Sequence, residues 1–156
     1  MNDPGANRRY DTVSLLTDFG LDDEFVGVLH SVLHELAPQA TVIDLTHGIA
    51  PYDVRGGSLA LVRSLPYVAP GIVVAVVDPG VGTNRKAVAV EVADGAGVLV
   101  GPDNGLLAPA VAVAGGASRA VELDNTEFHL DAGTGSGATF DGRDVFAPVA
   151  AHPCNG

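Results

Sequence analysis

The chain has 156 residues, enough for one domain with a sizeable buried core and too few for two ordinary ones. Hydrophobic residues make up 47% of it and charged residues 17%, which excludes an intrinsically disordered chain. Eight Lys plus Arg against 19 Asp plus Glu give a formal net charge of -11, which argues against nucleic acid or an anionic membrane surface as a partner.

A single cysteine, Cys154, allows no intramolecular disulfide and no Cys-rich metal cluster, as expected for a reducing compartment such as the cytoplasm. Lys86 is the only lysine, and the Asp-rich balance resembles that of proteins kept soluble at high salt. Residues 1–12 carry Asp3, Arg8 and Arg9 but no apolar signal-peptide core, and they read as a disordered arm. No apolar run approaches the roughly 20 residues of a spanning helix.

In chain order, Val13 to Thr17 reads as a short apolar strand that stops at Asp18-Phe19-Gly20. Phe25, Leu29, Val32, Leu33 and Leu36 then recur at helical spacing over 23–36, with Asp23 and Glu24 where the helix dipole favours acid. Pro38 ends that helix, and Thr41 to Thr46 is a second strand, closed by the turn His47-Gly48-Ile49-Ala50-Pro51. A second helix is expected over 53–65 despite Gly56 and Gly57. The continuous apolar run Ile72 to Val77 follows it and suits a strand covered on both faces of a parallel sheet. Further strands are expected at 87–92, 98–100 and 120–123, with short helices near 106–113 and 143–151. Gly115-Gly116 reads as a helix stop and residues 131–137 as a flexible loop. The fold class is α/β, a mostly parallel sheet with helices on both faces.

In open sheets of this kind, ligands bind beyond the carboxyl ends of the strands. Here those ends deliver Asp18, His47, Asp78, and Asp103 with Asn104. In Asp78-Pro79-Gly80-Val81-Gly82-Thr83-Asn84-Arg85, two glycines and a proline make a tight loop from which Arg85 can reach back to the Asp78 carboxylate. His30 and His34 have the i, i+4 spacing of a metal pair, but Ser31 stands where a zincin carries Glu and no third ligand is evident, so no metal is expected there. His47 reads equally as a satisfied turn histidine or a pocket wall. Gly133 to Gly137 hints at a phosphate loop, yet no Lys follows and no strand leads into it. Arg143 and Asp144 read better as a helix-start pair than as site residues.

Five ordered motifs then make the chain recognisable. They are Leu16-Thr17-Asp18-Phe19-Gly20 with Asp23-Glu24-Phe25-Val26-Gly27, Ile43-Asp44-Leu45-Thr46-His47, Val77-Asp78-Pro79-Gly80-Val81-Gly82, Gly101-Pro102-Asp103-Asn104-Gly105-Leu106-Leu107, and Thr139-Phe140-Asp141-Gly142-Arg143-Asp144-Val145-Phe146-Ala147-Pro148. Over residues 13–152 the sequence resembles the S-adenosylmethionine hydroxide adenosyltransferase family, the hydrolytic relative of fluorinases and chlorinases. The resemblance implies an N-terminal α/β domain over 13–152, with 153–156 as a truncated tail, of a normally two-domain protein. A smaller β-rich C-terminal domain would then lie beyond these residues. It also implies a homotrimer with active sites between subunits.

By position, the resemblance implies that Asp18 holds the ribose hydroxyls and that Tyr52 and Phe140 wall the sugar; Asp103 and Asn104, from their strand end, are expected to join the substrate site. Asp78 and Arg85 would fill two places of the family's Asp-Arg-His catalytic set. The third is Asp141, where the family motif has His, so two carboxylates are expected to share Arg85 or a proton and to weaken activation of water. The activity implied is hydrolysis of S-adenosylmethionine to adenosine and methionine, with no cofactor, and little turnover by these 156 residues without the rest of the pocket. Two alternatives stand beside it: a halide-using relative, and a non-catalytic nucleoside-binding or assembly module.

Overall fold

Short runs rich in Val, Ile and Leu build six strands among the described residues: β1 (Thr12–Thr17), β2 (Thr41–Thr46), β3 (Gly71–Val76), β4 (Ala87–Val92), β5 (Gly97–Pro102) and β6 (Ala117–Glu122). Four helices accompany them: α1 (Phe25–Leu36), α2 (Val54–Ser64), α3 (Ala108–Val113) and α4 (Ala147–Asn155). The computed structural model describes residues 10–125, 127 and 141–155. The expected loop at 131–137, with the glycine run Gly133 to Gly137, and the wall residue Phe140 lie outside them.

The strands form one sheet in the order β2-β1-β3-β5-β4-β6. β2, β1, β3 and β5 are parallel to one another, whereas β4 pairs antiparallel with both β5 and β6. Every residue of β3 is buried, because it lies inside the sheet and both its faces are covered. Val13 and Leu15 of β1, with Ile72, Val74 and Val76 of β3, pack on one face against Leu29 and Leu33 of α1 and Ala147, Ala150 and Ala151 of α4. Leu16, Val73, Ala75 and Val77 point to the other face, against Leu61 of α2 and Ala110 of α3. The period-2 alternation of the strands thus feeds two cores, and burying each leucine contributes about 1.5–3 kcal/mol.

Several boundaries move from the sequence expectation. α1 begins at Phe25, with Asp23 Oδ1 accepting from Phe25 N at 3.1 Å. α2 begins after Asp53, whose side chain accepts from Gly56 N at 2.9 Å. Its glycines have a packing reason: a Cβ on Gly57 would stand 3.0 Å from both Leu106 and Val77, so a bare backbone lets α2 close on the sheet. β6 starts three residues earlier than expected and is exposed along its whole length. The segment from Gly142 to Phe146 winds as a π-helical turn into α4, which continues through Pro153 to Asn155, past the tail expected from 153. Tyr10 and Asp11, expected within a disordered arm, are tied down by Tyr10 Oη donating to Gly95 O at 2.9 Å and by Thr41 N donating to Asp11 O at 2.8 Å. The Gly115-Gly116 stop has φ of 96° and 98°, with Gly116 N donating back to Val111 O at 2.9 Å. Among the described residues no helix is long and apolar enough to cross a membrane.

One glycine fixes how closely β5 approaches β3. A Cβ on Gly101 would collide with the Ala75 carbonyl oxygen, and backbone cannot rotate away as a side chain can. Gly101→Ala is therefore expected to cost about 3 kcal/mol, read as a lower urea midpoint at unchanged slope.

Candidate active site

The chain runs from β1 through α1 to β2 on one side, and from β2 through α2 to β3 on the other. The carboxyl ends of β1 and β3 therefore flank the point where the winding reverses. Loops leaving two such strands diverge to opposite faces and open a crevice between them. Thr17 of β1 registers with Val76 of β3, so Asp18 and Asp78, one and two residues further on, emerge side by side. A hollow of about 310 Å³ opens there, lined by Asp18, Phe19, Asp23, Phe25, Tyr52, Asp78 and Asp141, among others. Its volume is that of a small-ligand site.

Asp18 is set by the turn at the start of α2. Its Oδ2 accepts from Tyr52 N at 2.8 Å, and Tyr52 holds a left-handed backbone with φ of 64°. That conformation costs a non-glycine residue on the order of 1 kcal/mol and is retained where surrounding contacts enforce it. Phe19 and Phe25 meet edge to face at 6.4 Å beside the carboxylate and give the hollow an aromatic wall.

Asp78 follows β3 into a loop compact enough to return Arg85 to it. Thr83 N donates to Gly80 O at 3.0 Å, and Gly82 takes φ of 79°. A Cβ on Gly80 would press on Arg85 Cγ at 3.1 Å, so the glycine makes room for the returning side chain. Arg85 Nε donates to Asp78 Oδ1 and Oδ2 at 3.0 and 2.9 Å, and Arg85 Nη2 donates to Asp78 Oδ2 and to Asp141 Oδ2. The three side chains are only 5% (Asp78), 13% (Arg85) and 14% (Asp141) exposed, so this is a mostly buried acid, base, acid triplet. The Arg85 guanidinium also lies 5.6 Å from the ring centre of Phe146, which is fully buried. Burial alone would make Arg85 easier to deprotonate, but its hydrogen bonds to Asp78 and Asp141 outweigh this and raise its pKa above the ordinary arginine value.

Asp18, Tyr52, Asp78 and Asp141 share one hollow, and Arg85 joins them through the two carboxylates. Asp103 and Asn104 are not among its lining residues. Asn104 instead staples the scaffold, its Nδ2 donating to Val77 O at 2.9 Å and its Oδ1 accepting from Leu106 N at 3.1 Å; Asp103 N pairs with Lys86 O at 2.8 Å. Sequence reasoning missed Asp23, Phe25 and Phe146. The first two sit in the same Asp-Phe-Gly to Phe-Val-Gly stretch as Asp18, which was the available signal.

His47 is a satisfied turn histidine. Its Nδ1 is 2.7 Å from Thr17 Oγ1 and its Nε2 is 2.6 Å from Asp44 Oδ1. His30 pairs with the same Asp44 carboxylate at 2.9 Å, a contact across two elements that the His30/His34 spacing did not suggest. Burial pushes the Asp44 pKa up, but the hydrogen bonds from His47 and His30 prevail and hold it below the usual carboxylate value.

Residues 13–156 match the SAM hydroxide adenosyltransferase N-terminal domain. The chain belongs to this family. An (R)-S-adenosyl-L-methionine hydrolase of Salinispora arenicola is 53% identical over 139 residues, covering 89% of this chain and 51% of that protein. A crystal structure of an uncharacterized conserved protein from Thermotoga maritima superposes with a TM-score of 0.84 at 38% identity, covering 92% of this chain and 54% of that one. A fluorinase of Nocardia brasiliensis is more distant, 26% identical over 125 residues, with 65% of this chain and 41% of that protein covered. The chain spans about half the length of the curated relatives it matches.

Proposed function

We propose that the protein takes part in hydrolysis of S-adenosylmethionine, with water attacking ribose C5′ and releasing adenosine and methionine. The observation that carries this reading is the charge of the hollow: Asp18, Asp23, Asp78 and Asp141 line it, and Arg85 answers two of them. Such a site attracts a sulfonium cation and tolerates neutral water, while it repels a halide ion. Its relatives named (R)-S-adenosyl-L-methionine hydrolase support the same substrate.

A sulfonium is already a good leaving group, so the protein has chiefly to hold water in line behind C5′ and exclude bulk solvent. In this reading Asp18 grips the ribose hydroxyls and Tyr52 walls the sugar. Water is held against the Asp78 carboxylate where it lines the hollow, beside the Asp78–Arg85 pair. As its oxygen bonds to C5′, the C5′–S pair leaves to sulfur, and the water proton passes to the Asp78 carboxylate and on to solvent. The positive charge of Arg85 stabilises hydroxide character on the attacking oxygen. No cofactor is needed, since the substrate supplies its own leaving group. We further place the protein in the cytoplasm as a homotrimer whose subunits complete the pocket.

Asp18→Ala is expected to weaken nucleoside binding by about tenfold, since one charged hydrogen-bond acceptor is lost, with a smaller effect on the rate at saturation. Calorimetric titration with adenosine checks it. The reaction is tested on this chain joined to the remaining part of the Salinispora arenicola hydrolase, incubated with S-adenosylmethionine with and without chloride. Equal amounts of adenosine and methionine are expected in both. A 5′-chlorinated nucleoside would favour the halide reading, and binding without any turnover would favour the non-catalytic module.

A further inference from the structure

We propose that His30, Asp44 and His47 form a binding site for a divalent transition-metal ion of the zinc class, separate from the hollow that holds Asp78 and Arg85. The site is a product of topology. β2 is an edge strand, its carboxyl end carries Asp44 and the following turn carries His47, and α1 lays His30 alongside. One ligand atom from each of the three residues falls within 4.8 Å of the others, and Nε2 of both histidines meets Asp44 Oδ1.

The donor set is two imidazole nitrogens and one carboxylate oxygen, which suits zinc, nickel or cobalt better than calcium or magnesium. A tetrahedral ion with bonds near 2.0–2.2 Å needs its ligand atoms about 3.3 Å apart. His30 Nε2 and His47 Nε2 lie 2.9 and 2.6 Å from Asp44 Oδ1, so Asp44 must withdraw by less than about 1 Å to admit the ion. It has room, because the Asp44 and His30 side chains are 42% and 38% exposed, while His47 is fixed at 2%. The exposed side also leaves the fourth coordination position to water.

The outer shell is already built. Thr17 Oγ1 lies 2.7 Å from His47 Nδ1, and with Nε2 on the ion the Nδ1–H donates to that hydroxyl, which fixes both tautomer and ring orientation. Thr17 Oγ1 in turn accepts from Phe19 N at 3.2 Å, and His47 O accepts from Gly20 N at 2.7 Å. An ion here would clamp α1 to the end of β2 and stiffen the Asp18-Phe19-Gly20 turn. It would act on the neighbouring hollow through that turn, without entering it.

The test uses chelator-treated protein titrated with Zn2+ by calorimetry, and with Co2+ by visible absorption. One ion per chain is expected, with a Co2+ spectrum of tetrahedral type and a raised Tm in Zn2+. His30→Ala, an exposed change that leaves the core intact, should weaken Zn2+ at least about tenfold, and Thr17→Val about 10–100-fold. His34→Ala should bind as the parent does. The proposal is overturned by absence of saturable uptake, by an unchanged Zn2+ affinity in His30→Ala, or by an affinity lost in His34→Ala.

Discussion

Arg85→Ala is expected to lower stability by about 3–5 kcal/mol and turnover by about 10²–10³-fold. The reason is the company Arg85 keeps. Asp78 and Asp141 are both largely buried, and both hydrogen-bond to the one guanidinium. Without it, two carboxylates face each other with no counter-charge in a low-dielectric recess. In a domain of this size the loss is a fall in Tm of roughly 10 °C. Arg85→Lys should fall between, because a point charge cannot reproduce the forked contact. Adding Asp141→Asn to Arg85→Ala should restore part of the stability but none of the rate. A single variant within about 1 kcal/mol of the parent, the range of a surface ion pair, would show that the triplet is not the buried unit described here.

Asp141→His is expected to raise turnover by about tenfold or more, the lower end of what a well-placed general base contributes. Asp141 occupies a donor of Arg85, and in the proposed mechanism its charge would oppose hydroxide character on a water beside that group. A neutral imidazole removes the competing charge and supplies a base whose pKa lies near neutrality. Arg85 keeps its contacts from Nε and Nη2 to Asp78, so the loop should stay in place. The comparison is of kcat at saturating S-adenosylmethionine in the relative-length protein, parent against variant. A variant no faster than the parent would mean that Asp141 does not restrain the water.

Much of this arrangement could be read from residues alone, because the strongest local signals coincide with the elements that build the site. The Ile72 to Val77 run announced a strand buried on both faces, and β3 is that strand. Asp18 and Asp78 were expected at strand ends, and the parallel register of β1 and β3 puts them together. The glycines at 80 and 82 foretold a loop tight enough to return Arg85. Other features depend on neighbours distant in sequence. Asn104 has the same strand-end position as Asp18, yet its amide also bonds Val77 O and Leu106 N, a scaffold contact that no spacing rule foretells. β4 alternates too weakly to reveal its antiparallel direction, since the chain after Gly97 simply turns back along it. His30 meets Asp44 and His47 only because α1 packs beside the edge strand, so the pair with His34 drew attention to the wrong partner.

In the proposed reaction the Asp18, Asp78 and Arg85 hollow directs a water oxygen onto ribose C5′. Hydrolysis of S-adenosylmethionine in water enriched in oxygen-18, followed by mass spectrometry of both products, tests it most directly. One heavy oxygen is expected in the 5′-hydroxyl of adenosine and none in methionine. Adenosine without the label, or label in the amino-acid product, would contradict it.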